Sequence, residues 1–85
     1  MTMNTFYPPL KTLDMYLTAW LIMNGFAPTF ESNGKKVSFL FEGSALLYEK
    51  VSAFDSATVN LSDFCSILRK IKAKMFHVTH QGVER

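Results

Sequence analysis

Three side chains in the C-terminal third of the chain are of types that bind transition metals. His77 and His80 are three residues apart, a spacing that places both imidazoles on one face of a helix, and Cys65 lies upstream. A structural zinc site needs four ligands and usually contains a closely spaced cysteine pair, whereas this chain supplies three candidates. We therefore expect no metal and no other cofactor, and we interpret the histidines as part of a surface tail.

Cys65, the single cysteine, is also the strongest nucleophile in the sequence. A catalytic cysteine needs a neighbouring base and an electropositive pocket, whereas Cys65 falls on the flank of a predicted helix beside Phe64. A small, half-buried packing residue is the favoured interpretation. The sequence contains no glycine-rich phosphate loop, no Ser-His-Asp set and no paired carboxylates at helical spacing. We expect no catalytic residue, and we expect that the protein is not an enzyme.

Four basic residues near the C-terminus are the one charged feature that indicates a ligand: Arg69, Lys70, Lys72 and Lys74. Nucleic-acid binding favours cations that line a single accessible face. On a helical wheel these four fan around the apolar face, with Lys72 and Lys74 on opposite flanks. They also complement the negative end of the helix dipole. A solvated helix end is therefore the favoured interpretation, and contact with DNA or RNA is the alternative.

The composition places the chain among small globular domains. Its 85 residues suffice for one hydrophobic core, and apolar and aromatic contents of 48% and 14% are too high for a disordered chain. A net charge of +2 is too small to attract nucleic acid to the whole molecule over a long range. A single cysteine excludes an internal disulfide and favours a reducing compartment. With no signal-peptide pattern, and an apolar stretch about half the ~20 residues of a membrane span, we expect a cytoplasmic protein.

The first helix is predicted from Thr12, as its N-cap, to about Asn24, with Gly25 as the left-handed residue after its C-terminus. Asp14 and Thr18 form a narrow polar stripe, which we interpret as capping and a solvent-facing strip. Most of the remaining circumference is apolar, which is wider than the ~100° stripe of a surface helix. This helix is therefore expected to be covered on more than one side.

The apolar surface around this helix exceeds what one copy is expected to bury. Exposed apolar patches rich in Tyr, Trp, Phe and Met are typical of protein interfaces. The candidate interface consists of Phe6, Tyr7, Tyr16, Trp20 and Met23. The alternative is that residues 6–10 fold back over the patch within one chain.

A β-hairpin is predicted around Asn33-Gly34, the preferred pair for a two-residue type I′ turn. The apolar face then pairs Phe30 with Val37, Pro28 with Phe39 and Phe26 with Phe41. The other face pairs Glu31 with Lys36 and Thr29 with Ser38. Because Pro28 lacks the N–H that the ladder needs, we expect fraying or a bulge there.

Two further helices follow the hairpin. Ser44 is the predicted N-cap of the second helix and Asn60 that of the third. The apolar face of the third helix consists of Phe64, Ile67, Leu68, Ile71 and Met75. This helix is predicted to fade near His77, before a mobile tail to Arg85.

Three parts of the chain form a recognisable set: TLDMYLTAWL (12–21) with Gly25-Phe26, GKKVSFLFE (34–42), and VNLSDF (59–64) with LRKIK (68–72). Together they resemble a small prokaryotic and phage family described only as a domain of unknown function, number 5659. It covers roughly residues 12–76. The chain departs from that family after Phe54, where Asp55-Ser56-Ala57 replaces a polar-glycine turn. The resemblance implies no activity and no functional residue.

The sequence therefore predicts a single α+β domain in the order helix, β-hairpin, helix, helix. The predicted boundaries are an extended arm (1–11), the domain (12–76) and a mobile tail (77–85). We expect a non-catalytic protein-interaction module, phage-encoded or carried by a mobile element. We also expect a homodimer, formed through the first helix or through the second hairpin strand as a four-stranded sheet. The alternative is a small accessory DNA- or RNA-binding protein, and no membrane or small-molecule partner is implied.

Overall fold

The computed structural model describes residues 7–34 and 36–81, and side chains up to residue 78. Three strands and three helices follow one another as β1 (Leu10–Thr12), α1 (Met15–Met23), β2 (Thr29–Asn33), β3 (Lys36–Phe41), α2 (Ala45–Ala53) and α3 (Leu61–Gln81), with a 3-10 turn at Phe54–Ser56. The strands form one antiparallel sheet in the order β1-β3-β2. The predicted α+β class and the order helix, hairpin, helix, helix are confirmed, with one additional strand before them.

The core forms on one face of the central strand. Successive side chains of a strand point to opposite faces, and in β3 the side chains of Val37, Phe39 and Phe41 are buried while their neighbours are not. All three helices place buried side chains against this face: Ala19 and Leu21 from α1, Leu47 from α2 and Ile71 from α3. The opposite face carries an ion pair between Lys11 and Glu31 at 3.3 Å.

The helix α1 begins two residues later than predicted. Its N-cap is Asp14, whose Oδ1 accepts hydrogen bonds from the amides of Tyr16 (2.9 Å) and Leu17 (3.1 Å). Thr12 is wrong as the N-cap because it is the last residue of β1, and its hydroxyl accepts from the amide of Asp14 instead. At the other end the prediction is confirmed, since Gly25 follows the helix with φ +94°.

Thr18 is not part of a solvent-facing strip. Its side chain is completely buried, and its hydroxyl donates to the carbonyl of Asp14 at 2.9 Å. A buried hydroxyl that bonds to the preceding helical turn needs no water or distant partner. Only Asp14 faces solvent, so the predicted strip reduces to the N-cap.

The predicted hairpin register is wrong by one position at the turn. Asn33 pairs with Lys36, so the two-residue connection is Gly34 and Lys35, the latter lying outside the described residues. The observed pairs include Phe30 with Phe39, Ser32 with Val37 and Glu31 with Ser38. The partner of each residue moves by two positions, with Phe30 opposite Phe39 instead of Val37. Because side chains alternate with a period of two, this even shift preserves which side chains share a face.

The observed register brings two aromatic rings together. Phe30 meets Phe39 edge-on, with ring centroids 5.0 Å apart, a geometry that contributes about 0.5–1.5 kcal/mol beyond burial. The predicted pairs of Pro28 and Phe26 do not form, because β2 begins only at Thr29. That start directly after Pro28 agrees with the expected loss of pairing at proline.

The residues at the end of the predicted arm form a strand of the sheet. Leu10, Lys11 and Thr12 pair with Phe41, Leu40 and Phe39 of β3. The predicted boundary at residue 12 therefore falls inside β1. Because β1 occupies this edge of β3, the second hairpin strand has no free edge there for a four-stranded sheet with another copy.

Two contacts hold the residues before β1 against α2. The Tyr48 hydroxyl donates to the carbonyl of Pro8, and its ring stacks on Tyr7 with centroids 6.1 Å apart. Gly43, just before α2, lies directly beneath the carbonyl groups of Tyr7 and Pro8, so that a Cβ atom there would overlap both oxygens. The close approach of the two backbones requires glycine at this position.

The caps predicted for the later helices are confirmed. Ser44 accepts from the amide of Leu47 at 3.1 Å, and Asn60 accepts from that of Asp63 at 2.9 Å. The helix α3 continues to Gln81, four residues beyond its predicted end, while the tail from residue 82 lies outside the described residues. Within the described part of the chain, no helix combines the length and apolar character needed to cross a bilayer.

The first prediction concerns Gly34, which has φ +69° and open space around its α-carbon. Replacing it with Val should lower the free energy of unfolding by about 1–2 kcal/mol, because a β-branched residue is strained in this region. Gly34→Asn is the matched control, since asparagine tolerates the left-handed conformation. Urea denaturation measures both variants, and equal losses would show that the backbone angle is not the constraint.

The second prediction concerns Gly43. Gly43→Ala should cost about 1–3 kcal/mol through overpacking and should accelerate amide exchange in Leu10–Thr12 more than elsewhere, because the added methyl group pushes the chain away from β3. Glu42→Ala, at the exposed neighbouring position, is the control. Unchanged exchange in β1 of the Gly43 variant would contradict the proposed packing.

Candidate functional site

An exposed apolar surface lies where α1 and α3 begin. The Tyr16 ring stacks on Phe64 with centroids 6.3 Å apart and 16° between the planes, yet Tyr16 remains 56% exposed. Leu61, one turn before Phe64 on the same side of α3, is 73% exposed. We call Tyr16, Leu61 and Phe64 the Tyr16 patch.

The two N-caps fix the position of this patch. Asp14 places Tyr16 in the first turn of α1, and Asn60 makes Leu61 the first residue of α3. The apolar stripe of α3 recurs every three or four residues, at Leu61, Phe64, Leu68, Ile71 and Met75. Its middle is buried, with Ile71 2% exposed, whereas its first residue extends beyond the core.

The other described residues of the predicted interface make contacts of their own. Trp20 is half-buried, donates from Nε1 to the carbonyl of Lys50 at 2.9 Å and contacts the ring of Phe54. Tyr7 stacks on Tyr48, and Met23 is half-buried in a depression beside Ile67. Phe6 lies outside the described residues. The structure thus distributes the described members of the set over contacts with α2 and α3.

Of the three residues of the patch, the sequence analysis placed only Tyr16 in the candidate interface; it assigned Phe64 to the apolar face of the third helix and did not select Leu61. The predicted apolar face of the third helix begins at Phe64, although Leu61 continues the same spacing by one turn. Its place directly after the Asn60 cap was the available signal, because a residue at that point is already helical.

The four basic residues also fall into separate groups. Successive residues of a helix are 100° apart, so Lys70 and Lys74 share one side of α3, and Arg69 and Lys72 share another. Lys70 and Lys74 border an open groove of about 270 Å³ between α3 and the segment leading into β2. We call it the Phe30 groove; its lining is Ile22, Phe26, Ala27, Pro28, Phe30, Lys70, Ile71 and Lys74.

The residues considered for metal binding are not brought together among the described side chains. Cys65 is a free thiol, half-buried on α3, and His77 is exposed. The side chain of His80 lies outside the described residues. Elsewhere in the described chain, no group of three or more His, Cys, Asp or Glu residues is close enough to hold a metal ion.

Comparison with known proteins identifies the family. Residues 8–77 match the family model described as a domain of unknown function, DUF5659. The match begins at Pro8 and so includes β1, which agrees with the docking of this segment in the fold. No curated protein and no solved structure matches the chain. Because the matched region covers most of its length, the chain belongs to the DUF5659 family of domains of unknown function.

Proposed function

We propose that this chain is a small, non-catalytic module that binds another protein through the Tyr16 patch. The observation that supports this proposal is the exposure of Tyr16 and Leu61, at 56% and 73%, beside the half-buried ring of Phe64. Covering such side chains removes apolar surface from water, which contributes roughly 25 cal/mol per Å². Exposed aromatic residues of this kind are enriched at protein interfaces.

The stack on Phe64 also prepares Tyr16 for binding. A ring already held in one orientation loses little conformational entropy when a partner covers it. Tyrosine is one of the residue types that dominate binding energies at interfaces. The Tyr16 patch therefore combines accessible area with a fixed geometry.

One partner that we propose is a second copy of the chain, bound through the same patch to form a homodimer. The three residues of the patch carry no charge, and two copies related by a two-fold axis can bring them together without pairing like charges at the centre. Since β1 covers an edge of β3, a dimer through the helices is the geometry that we favour. The half-buried, free thiol of Cys65 supports a reducing compartment, and we propose the cytoplasm.

The third prediction tests the Tyr16 patch by self-association. At micromolar concentration, light scattering should give about twice the chain mass of 9.7 kDa for the wild type and for Leu46→Ser. Leu61→Ser and Tyr16→Ser should shift the chain toward the monomer, because each makes part of the patch polar. Leu46 is the matched control, since it is 63% exposed on α2. A monomeric wild type would exclude the second copy as the partner.

A partner other than a second copy is tested with the same variants. In an affinity pull-down from the native host, the wild type and Leu46→Ser should retain a protein that Leu61→Ser loses. Replacing one central interface residue should weaken that complex by roughly 1–3 kcal/mol, measured by titration. Equal retention by all three chains would refute a role for the patch.

The basic residues of α3 support a second candidate function, contact with nucleic acid. The four cations divide between two sides of the helix, Lys70 with Lys74 and Arg69 with Lys72, so one side offers two cations to the phosphates. The fourth prediction is that duplex DNA binds weakly, with a log–log salt slope near about −2 for two contacts rather than about −3 to −4 for four. Fluorescence anisotropy across a salt series measures the slope. Tight, salt-sensitive binding that Lys70→Glu/Lys74→Glu abolishes would favour the nucleic-acid function instead.

A further inference from the structure

We propose that the Phe30 groove is a second binding site, and that it takes a peptide segment in which an acidic side chain neighbours a large apolar one. The inference rests on the proposed function in one respect, that the partner is a protein. It concerns a different surface from the Tyr16 patch, on the side of α3 that faces β2.

The floor of the groove is apolar and remains partly accessible. Ile22, Phe26 and Phe30 are half-buried, so part of each side chain still faces the groove, while Ile71 closes its base at 2% exposure. The volume of about 270 Å³ falls below the roughly 300–1,000 Å³ of small-molecule sites. The groove therefore suits one large side chain of a peptide better than a cofactor.

The rim of the groove is cationic. Lys70 and Lys74 are exposed and one helical turn apart, and none of the described residues lining the groove carries a carboxylate. The ion pair found among the described residues, Lys11 with Glu31, lies on the opposite face of the sheet. Asp63 and Lys70 both line a neighbouring depression, but Asp63 does not line the groove. A ligand that fills the apolar floor thus meets two ammonium groups, which favour an anion beside its apolar side chain.

The position of Lys74 favours a peptide over a nucleobase. Its Nζ lies 4.8 Å from the centroid of the Phe30 ring, within cation–π range. That contact holds the ammonium group at the mouth of the groove, where a carboxylate can reach it. A base stacking on the same face of Phe30 would have to displace Lys74, and the ring already meets Phe39 in an edge-to-face contact.

The test is a titration of the full, ¹⁵N-labelled chain with an acetylated peptide that carries Leu-Phe between Asp and Glu. Amide shifts should change in residues 26–30 and 70–74. Lys70→Gln/Lys74→Gln should raise the dissociation constant of the peptide by about tenfold. The matched control, Arg69→Gln/Lys72→Gln, removes the same charge from another side of α3 and should change the dissociation constant by less than about twofold.

Two further peptides separate the contributions of charge and apolar contact. Replacing Leu-Phe with Ser-Ser, or the acidic residues with lysine, should each abolish the shifts, because the groove requires both features. Absent binding, equal effects of the two double variants, or shifts produced by the serine peptide would overturn the inference. Shifts confined to Tyr16 and Leu61 would also overturn it, while leaving the proposed function intact. Displacement of the peptide by a short single-stranded DNA with equal affinity would favour a nucleic-acid ligand instead.

Discussion

The alternation of buried and accessible side chains along β3 is the constraint on which the other elements depend. Val37, Phe39 and Phe41 present one continuous apolar face, and each helix places at least one buried side chain against it. Burying a large apolar side chain contributes roughly 1.5–3 kcal/mol. In a domain of 85 residues, whose margin of stability is small, this face dominates the stabilisation of the fold.

The central position of β3 explains why Leu10–Thr12 are part of the sheet. A two-stranded hairpin alone is marginal in water, and β1 adds a third strand at the otherwise unpaired edge of β3. The contact of Tyr48 with Pro8 and the absence of a side chain at Gly43 allow the preceding residues to approach α2. The edge thus becomes protected from pairing with other chains.

Both candidate binding surfaces arise from the way α3 lies across the core. Its apolar stripe is longer than the surface that covers it, so Ile71 is buried while Leu61 at the start remains exposed. Its flank toward β2 carries Lys70 and Lys74, which border the groove beside Phe30. One surface is apolar and the other combines apolar and cationic character, so the two suit partners of different chemistry.

The sequence by itself determined the features that depend on residues close together in the chain. The caps at Ser44 and Asn60 and the left-handed conformation at Gly25 and Gly34 depend on contacts within a few residues, and such contacts carry recognisable residue types. The sequence likewise separated Lys72 from Lys74, because helical geometry alone decides their directions.

Only the tertiary structure decided the features that depend on distant residues. The pairing of β1, the hairpin register with Phe30 opposite Phe39, and the groove beside Lys74 join segments that lie far apart in the chain or compete with local turn preferences. Thr18 shows the same limit, since its burial follows from the packing of α1 rather than from its residue type. Local patterns specify how a segment folds. Which of its surfaces remain exposed depends on the other segments that pack against it.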